Sequence, residues 1–120
     1  MGSPDTGARM KGEVIIVNDE ETELTREEVV SYEGALLLEF GAAWCGYCRT
    51  LAPVVAELAK AFPGVAHVKI EDGPGKPLGR SFQVKLRPTL VFLKDGVAKK
   101  IAVRPSRAEV LEGFQAIAED

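Results

Sequence analysis

Residues Ala35 to Phe40 read Ala-Leu-Leu-Leu-Glu-Phe, an apolar run broken only by Glu39. So short and so apolar a run suits a central strand buried on both faces. After a tight turn at Gly41-Ala42-Ala43 comes Trp44-Cys45-Gly46-Tyr47-Cys48, which holds both cysteines of the chain. From Cys45 to Phe62 the pattern is helical, with Leu51, Val54, Val55, Leu58 and Phe62 at spacings of three and four. Pro53 falls inside this stretch and is expected to kink it, because it lacks an amide donor and its ring crowds the preceding turn.

The same reading extends along the chain. Glu13 to Val17 is a first strand, and Thr25-Arg26-Glu27-Glu28 is a capping box opening a short helix to about Tyr32. Pro63-Gly64 ends the long helix, and Ala66 to Ile70 is a second central strand. Asp72 to Pro77 is a loop and Leu78 to Phe82 a helical turn. Thr89 to Leu93 is a strand, Asp95-Gly96 turns the chain, and Val97 to Val103 returns antiparallel. Ser106-Arg107-Ala108-Glu109 is a second capping box, opening a last helix with Val110, Leu111, Phe114 and Ile117 on one face. The order β-α-β-α-β-(α)-β-β-α predicts an α/β fold, a mixed sheet covered by helices on both faces. The 120 residues suffice for one domain, expected over residues 13–120, with 1–12 as a disordered tail.

A net charge of -3 and few aromatic residues argue against a nucleic acid or an anionic membrane as partner. No apolar stretch approaches the roughly 18 residues of a membrane span. The first twelve residues lack the apolar middle of a signal peptide, so the expected compartment is the cytoplasm. The alternative is the periplasm, with an export leader removed. In the cytosol a lone close pair of cysteines is catalytic rather than structural. Such a pair is otherwise half of a metal site, and here the other half is missing. His67, the only histidine, reads as a plain strand residue, and zinc needs four ligands. Neither a metal nor another cofactor is expected.

At the mouth of a helix, Cys45 meets unpaired amides and the positive end of the helix dipole. A free thiol titrates near pH ~8.5, and such a site can lower this to about 7. Cys45 would then attack a disulfide, and Cys48 would resolve the mixed disulfide. The competing reading is a pair that merely stabilises a turn. Glu39 is either a solvent-facing strand position or a buried carboxyl below the pair, where burial would raise its pKa. Lys69 reads as an exposed strand lysine, Trp44 as a core residue or an aromatic platform, and Pro88 as a strand-entry proline.

Phe40-Gly41-Ala42-Ala43-Trp44-Cys45-Gly46-Tyr47-Cys48-Arg49, then Pro53, then Arg87-Pro88-Thr89 before an apolar strand and Lys94-Asp95-Gly96, resembles the thioredoxins. The resemblance runs from about Glu13 to the C-terminus. It implies a thioredoxin fold, thiol-disulfide exchange with protein substrates, and Pro88 as a cis proline facing the cysteines. It implies that Glu39 stands for a buried aspartate that moves protons for the resolving thiol, with Lys69 as the partner lysine. Trp44, Gly46, Tyr47, Arg87, Pro88, Thr89 and Arg104 would form the substrate-binding surface. A reductase such as thioredoxin reductase would supply electrons, and the protein would act as a monomer.

Three departures bear on the redox role. Tyr47 replaces the usual proline between the cysteines, which predicts a pair more oxidising than a typical thioredoxin. Arg104 stands where a glycine is usual, and with Arg49 and Arg87 would make the groove electropositive and favour an acidic partner. Gly41 replaces a bulky aromatic, so that side of the site is expected to be more open. The reading is mainly a protein disulfide reductase. Its alternatives are a disulfide oxidase or isomerase of exported proteins, and a redox-slow binding module of the same fold.

Overall fold

A computed structural model describes residues 14–17, 25–42, 44–71 and 77–118. The expected tail over 1–12 and most of the loop expected from Asp72 lie outside the described residues. Five strands form one mixed sheet: β1 (Val14–Val17), β2 (Ala35–Gly41), β3 (Ala66–Glu71), β4 (Thr89–Lys94) and β5 (Val97–Val103), in the order β1-β3-β2-β4-β5. β1 and β2 run parallel to β3, while β4 is antiparallel to β2 and to β5. β2 is therefore the middle strand, and Ala35 to Phe40 are all buried.

Side chains alternate along a strand, so β2 feeds two cores at once. Leu36, Leu38 and Phe40 join Val68, Ile70, Val91 and Leu93 under the short helices α1 (Arg26–Val30) and α3 (Pro77–Ser81), which contribute Val29 and Leu78. Ala35 and Leu37 join Leu90 and Phe92 under α2 (Gly46–Ala59) and α4 (Arg107–Ile117), which contribute Leu51, Val55, Leu58, Val110 and Phe114. Helices thus cover both faces, as the strand-helix order requires. Glu39 shares the face of Ala35 and Leu37, beneath α2.

Local chemistry sets the element ends. The Thr25 and Ser106 hydroxyls accept from the amides of Glu28 and Glu109, and those carboxylates accept from the cap amides in return, so both capping boxes are complete. The first box opens α1, which stops at Val30, short of Tyr32. The Ser31 hydroxyl donates to the Glu27 carbonyl at 2.8 Å and competes with the helical ladder there. Expected to run to Phe62, α2 stops at Ala59. Tighter turns, Ala61 to Leu58 and Phe62 to Ala59, carry the chain on, because a residue before proline disfavours the helical conformation. Asp95 and Gly96 have φ of 51° and 81°, which suits the primed turn of a two-residue hairpin.

Gly113 in α4 shows why a poor helix former is kept. A Cβ there would lie 2.2 Å from Cε2 of Phe92, so its absence lets α4 settle onto β4. Phe92 in turn meets Phe114 edge-on at 5.4 Å. Gly113→Ala is expected to lower stability by about 1–3 kcal/mol through overpacking, despite alanine's better helix propensity. Urea denaturation measures this, and an unchanged midpoint would contradict the packing argument.

Candidate active site

The buried strand β2 runs straight into the cysteine motif. Cys45 has extended backbone angles, φ -88° and ψ 120°, and is the residue that caps α2 rather than its first helical residue. Its sulfur takes the place usually held by a Ser or Asp oxygen, accepting the Cys48 amide at 3.2 Å. Two residues separate the cysteines along the chain, and their sulfurs sit one at the helix mouth and one in its first turn. Both thiols are free and nearly buried, and with Ala42 they form a small cluster apart from the two main cores.

Their surroundings push the two thiols in opposite directions. Burial opposes ionisation of Cys45. The hydrogen bond from the Cys48 thiol, the amides of Cys48 and Tyr47, and the charge of Arg104 outweigh it, and Cys45 is held below the ordinary thiol value. Burial is also the largest influence on Cys48, which is pushed up to about 11. The hydrogen bond to Cys45 and the negative charges of Cys45 and Glu39 add to the rise, and a backbone hydrogen bond at Ala42 only partly opposes it. One sulfur is thus prepared as a nucleophile, and the other keeps its proton.

Glu39 is 5% exposed, so it is not a solvent-facing strand position. Its Oε1 lies 2.7 Å from Nε2 of His67, which is 4% exposed. Lys69 is the partner that the resemblance implied. Lys69 lies opposite Glu39 in the register but is half-exposed, and among the described residues the carboxylate's ion-pair contact is with His67. The reason is physical. An imidazole can stay neutral under a helix, whereas an ammonium is costly to bury and reaches for water along its stem. His67 lies opposite Leu37, two residues from Lys69 on the same face, so the contact is diagonal. Among the described residues, the buried Nδ1 of His67 finds no hydrogen-bond partner. A lone histidine in a strand carries no sequence signal for this contact.

Pro88 and its neighbours form the opposite wall. The Arg87–Pro88 peptide bond is cis, and Pro88 is buried. The Arg87 carbonyl faces the nucleophile, 3.8 Å from the Cys45 sulfur. Thr89 is buried, its hydroxyl bound to the Leu86 carbonyl at 2.7 Å. Arg104, after β5, donates from Nε to the same Arg87 carbonyl at 2.9 Å and from its amide to the Pro88 carbonyl at 2.9 Å. Trp44 and Tyr47 are 67% and 61% exposed, so Trp44 belongs to no core. Each carries a guanidinium over its ring, Arg87 at 5.3 Å from Trp44 and Arg104 at 4.3 Å from Tyr47. Gly46 is exposed, with open space where a side chain would be. Arg49 is exposed on α2. Gly41 is half-buried, and a Cβ there would come within 3.1 Å of the Cys48 sulfur. That departure therefore leaves room beside the resolving thiol. Among the described residues no cluster of three His, Cys, Asp or Glu side chains could hold a metal, and no helix is long and apolar enough to cross a membrane.

The family model described as Thioredoxin matches residues 13–116. A thioredoxin H-type of Oryza sativa subsp. indica is 43% identical over 61 residues, 51% of this chain and 50% of the relative. A thioredoxin H-type of Ricinus communis is 41% identical over 64 residues, 53% of this chain and 54% of the relative. The chain thus spans about half the length of these curated relatives. The solved structure of reduced thioredoxin 2 from Pseudomonas aeruginosa PAO1 is 47% identical, covers 79% of this chain and 90% of that one, and superposes with a TM-score of 0.69.

The Glu39 carboxylate opposes a second negative charge on Cys48, so its removal is expected to make Cys48 the stronger acid. Glu39→Gln should bring the Cys48 titration down from about 11, while Cys45 stays the more acidic thiol. The Cβ chemical shifts of the two cysteines across pH measure both. A Cys48 titration unmoved or raised in the variant would contradict the placement of the charge.

Proposed function

The chain belongs to the thioredoxin family, and we propose that it is a thiol-disulfide oxidoreductase working mainly as a protein disulfide reductase. The observation that carries this reading is the opposed shift of two thiols in one helical turn, Cys45 down and Cys48 up. Cys45 attacks one sulfur of a substrate disulfide as the thiolate. The substrate S–S bond breaks, a Cys45–substrate disulfide forms, and one substrate thiolate leaves. Cys48 then gives its proton to the buried Glu39–His67 pair and attacks the Cys45 sulfur. The second substrate thiolate leaves, and the Cys45–Cys48 disulfide remains. Two electrons have passed to the substrate, and the protons its thiolates take up come from the pair and from water.

The pair is placed to take that proton because both side chains are buried and Oε1 of Glu39 lies 2.7 Å from Nε2 of His67. His67 takes the part that the resemblance implied for Lys69. Trp44, Gly46, Tyr47, Arg87, Pro88, Thr89 and Arg104 form the surface that receives the substrate chain, with the Arg87 carbonyl as the backbone edge. The unit over residues 13–120 acts as a cytoplasmic monomer on disulfide-containing proteins, takes electrons from a reductase such as thioredoxin reductase, and needs no bound cofactor.

Reduction of insulin by dithiothreitol, with and without the protein, tests the activity. The parent is expected to accelerate it and Cys45→Ser to give the rate of dithiothreitol alone. Cys48→Ser is expected to accumulate a mixed disulfide through Cys45. A Cys45→Ser variant as active as the parent would sink the reading.

Thiolate stabilisation by Arg104 and the amides favours the dithiol form, so the pair should also be more oxidising than an ordinary thioredoxin. Its potential is expected above about -270 mV, measured by equilibration with glutathione or a reference thioredoxin. A value at or below that figure would refute this.

A further inference from the structure

Arg104 is held in an unusual way. Its backbone lies in the left-handed region, at φ 46°, where a side chain is strained and glycine is not. Its Nε is spent on the Arg87 carbonyl at 2.9 Å, and one face of its guanidinium lies 4.3 Å from the centre of the Tyr47 ring. Among the described residues no carboxylate lies within ion-pair distance of it, and its two terminal nitrogens have no hydrogen-bond partner. Arg107, one turn of chain away, differs: its charge is met by Glu57 at 3.0 Å. Arg104 therefore presents an uncompensated planar fork, locked in position by two contacts that leave the end of the fork open. Such a fork matches a carboxylate bidentately.

The fork borders a cleft of about 180 Å³. Leu51, Val54, Pro88 and Pro105 give it apolar walls, and Tyr47, Arg104 and the Glu57-paired Arg107 also line it. Pro88 follows Arg87, whose carbonyl lies 3.8 Å from the Cys45 sulfur, and Tyr47 is two residues beyond Cys45. A polypeptide whose cysteine is joined to Cys45 has to place its neighbouring residues along this cleft. An apolar wall ending in a guanidinium fits a side chain with a methylene stem and a terminal carboxylate.

We propose that Arg104 and this cleft select disulfides flanked by acidic residues, glutamate above all, in the protein substrate. The proposal rests on the reductase reading and names the substrate class of the same site. Arg104 is a specificity-determining residue: its terminal nitrogens bind the glutamate carboxylate while Tyr47 and Val54 pack on the stem. The chain carries a net charge of -3, so attraction to acidic segments is local to this rim and not a property of the whole surface. The charge that draws the substrate is also the one that favours the Cys45 thiolate, so docking and nucleophile activation share one group. A carboxylate bound there offsets part of that charge once the substrate is seated.

Three peptides with the same disulfide, flanked by Glu, Gln or Lys, test this with dithiothreitol as the electron source. The Glu peptide is expected to exceed the Gln peptide about tenfold in kcat/KM, with the Lys peptide slowest. Raising salt from about 0.05 to about 0.5 M should narrow the differences. Arg104→Gly suits the left-handed backbone, so it should fold, and it should bring the Glu-to-Gln ratio to about one. Arg104→Lys keeps the charge without the fork and should leave an intermediate ratio. Equal rates for Glu and Gln on the parent, or a ratio that survives Arg104→Gly, would overturn the substrate class and leave the reductase reading standing. Failure to reduce any of the three peptides would overturn the reductase reading, and this inference with it.

Discussion

From Ala35 to Phe40, β2 has no side open to water. It lies in the middle of the sheet, with helices above and below, and every residue from Ala35 to Phe40 is buried. The fold is organised around filling both of its faces, and the reactive turn is the place where the strand leaves the interior. The cysteine pair is thus anchored to the most constrained element of the protein. Glu39 is the one charged residue in that strand, and its position on the α2 side follows from alternation with Leu37 and Ala35. A carboxyl there has to find a partner or remain protonated, because an unpaired charge in such surroundings is costly. His67 supplies the partner.

The site works by contrast between two groups of the same chemistry. Both cysteines are largely shielded from water, and burial alone would push both thiols up. The difference lies in what else faces them. Cys45 caps a helix and sees amide donors and Arg104, while Cys48 sees a carboxylate and a neighbouring thiolate. Environments that split two like groups apart in acidity give each a separate role, here nucleophile and proton-holding resolver. The arginine surface adds a third effect. Arg104 ties the Arg87 carbonyl to Tyr47, so the wall facing the nucleophile is held by contacts between segments distant in the chain.

Much of the architecture was legible in the residue pattern. The apolar run of β2, the two capping boxes and the Asp-Gly turn each have a local cause, and each lies close to where its local cause put it. Helix ends were less legible. Ser31 and Pro63 shorten α1 and α2 through local competition that hydrophobic spacing does not register. In the site, the two cysteines and the proline before β4 were marked by their own residue types. The Glu39 partner was not, because a register that sets Lys69 opposite Glu39 does not say which side chain will tolerate burial. The bond from Arg104 to the Arg87 carbonyl had no sequence signal either, since it joins two loops through a side chain that reads as solvated.

The order of strands and helices, the presence of a dithiol at a helix mouth and the turn before β5 come from the chain alone. Each depends on interactions between residues a few positions apart, and periodicity and residue type record these. The depth of Glu39, its pairing with His67, the unequal acidity of the two sulfurs and the locked fork of Arg104 come from tertiary structure. They depend on which side chains the sheet register and the helix packing bring within a few ångströms, and on how much water is excluded there. Dielectric and distance are properties of the assembled core, and no short stretch of sequence carries them.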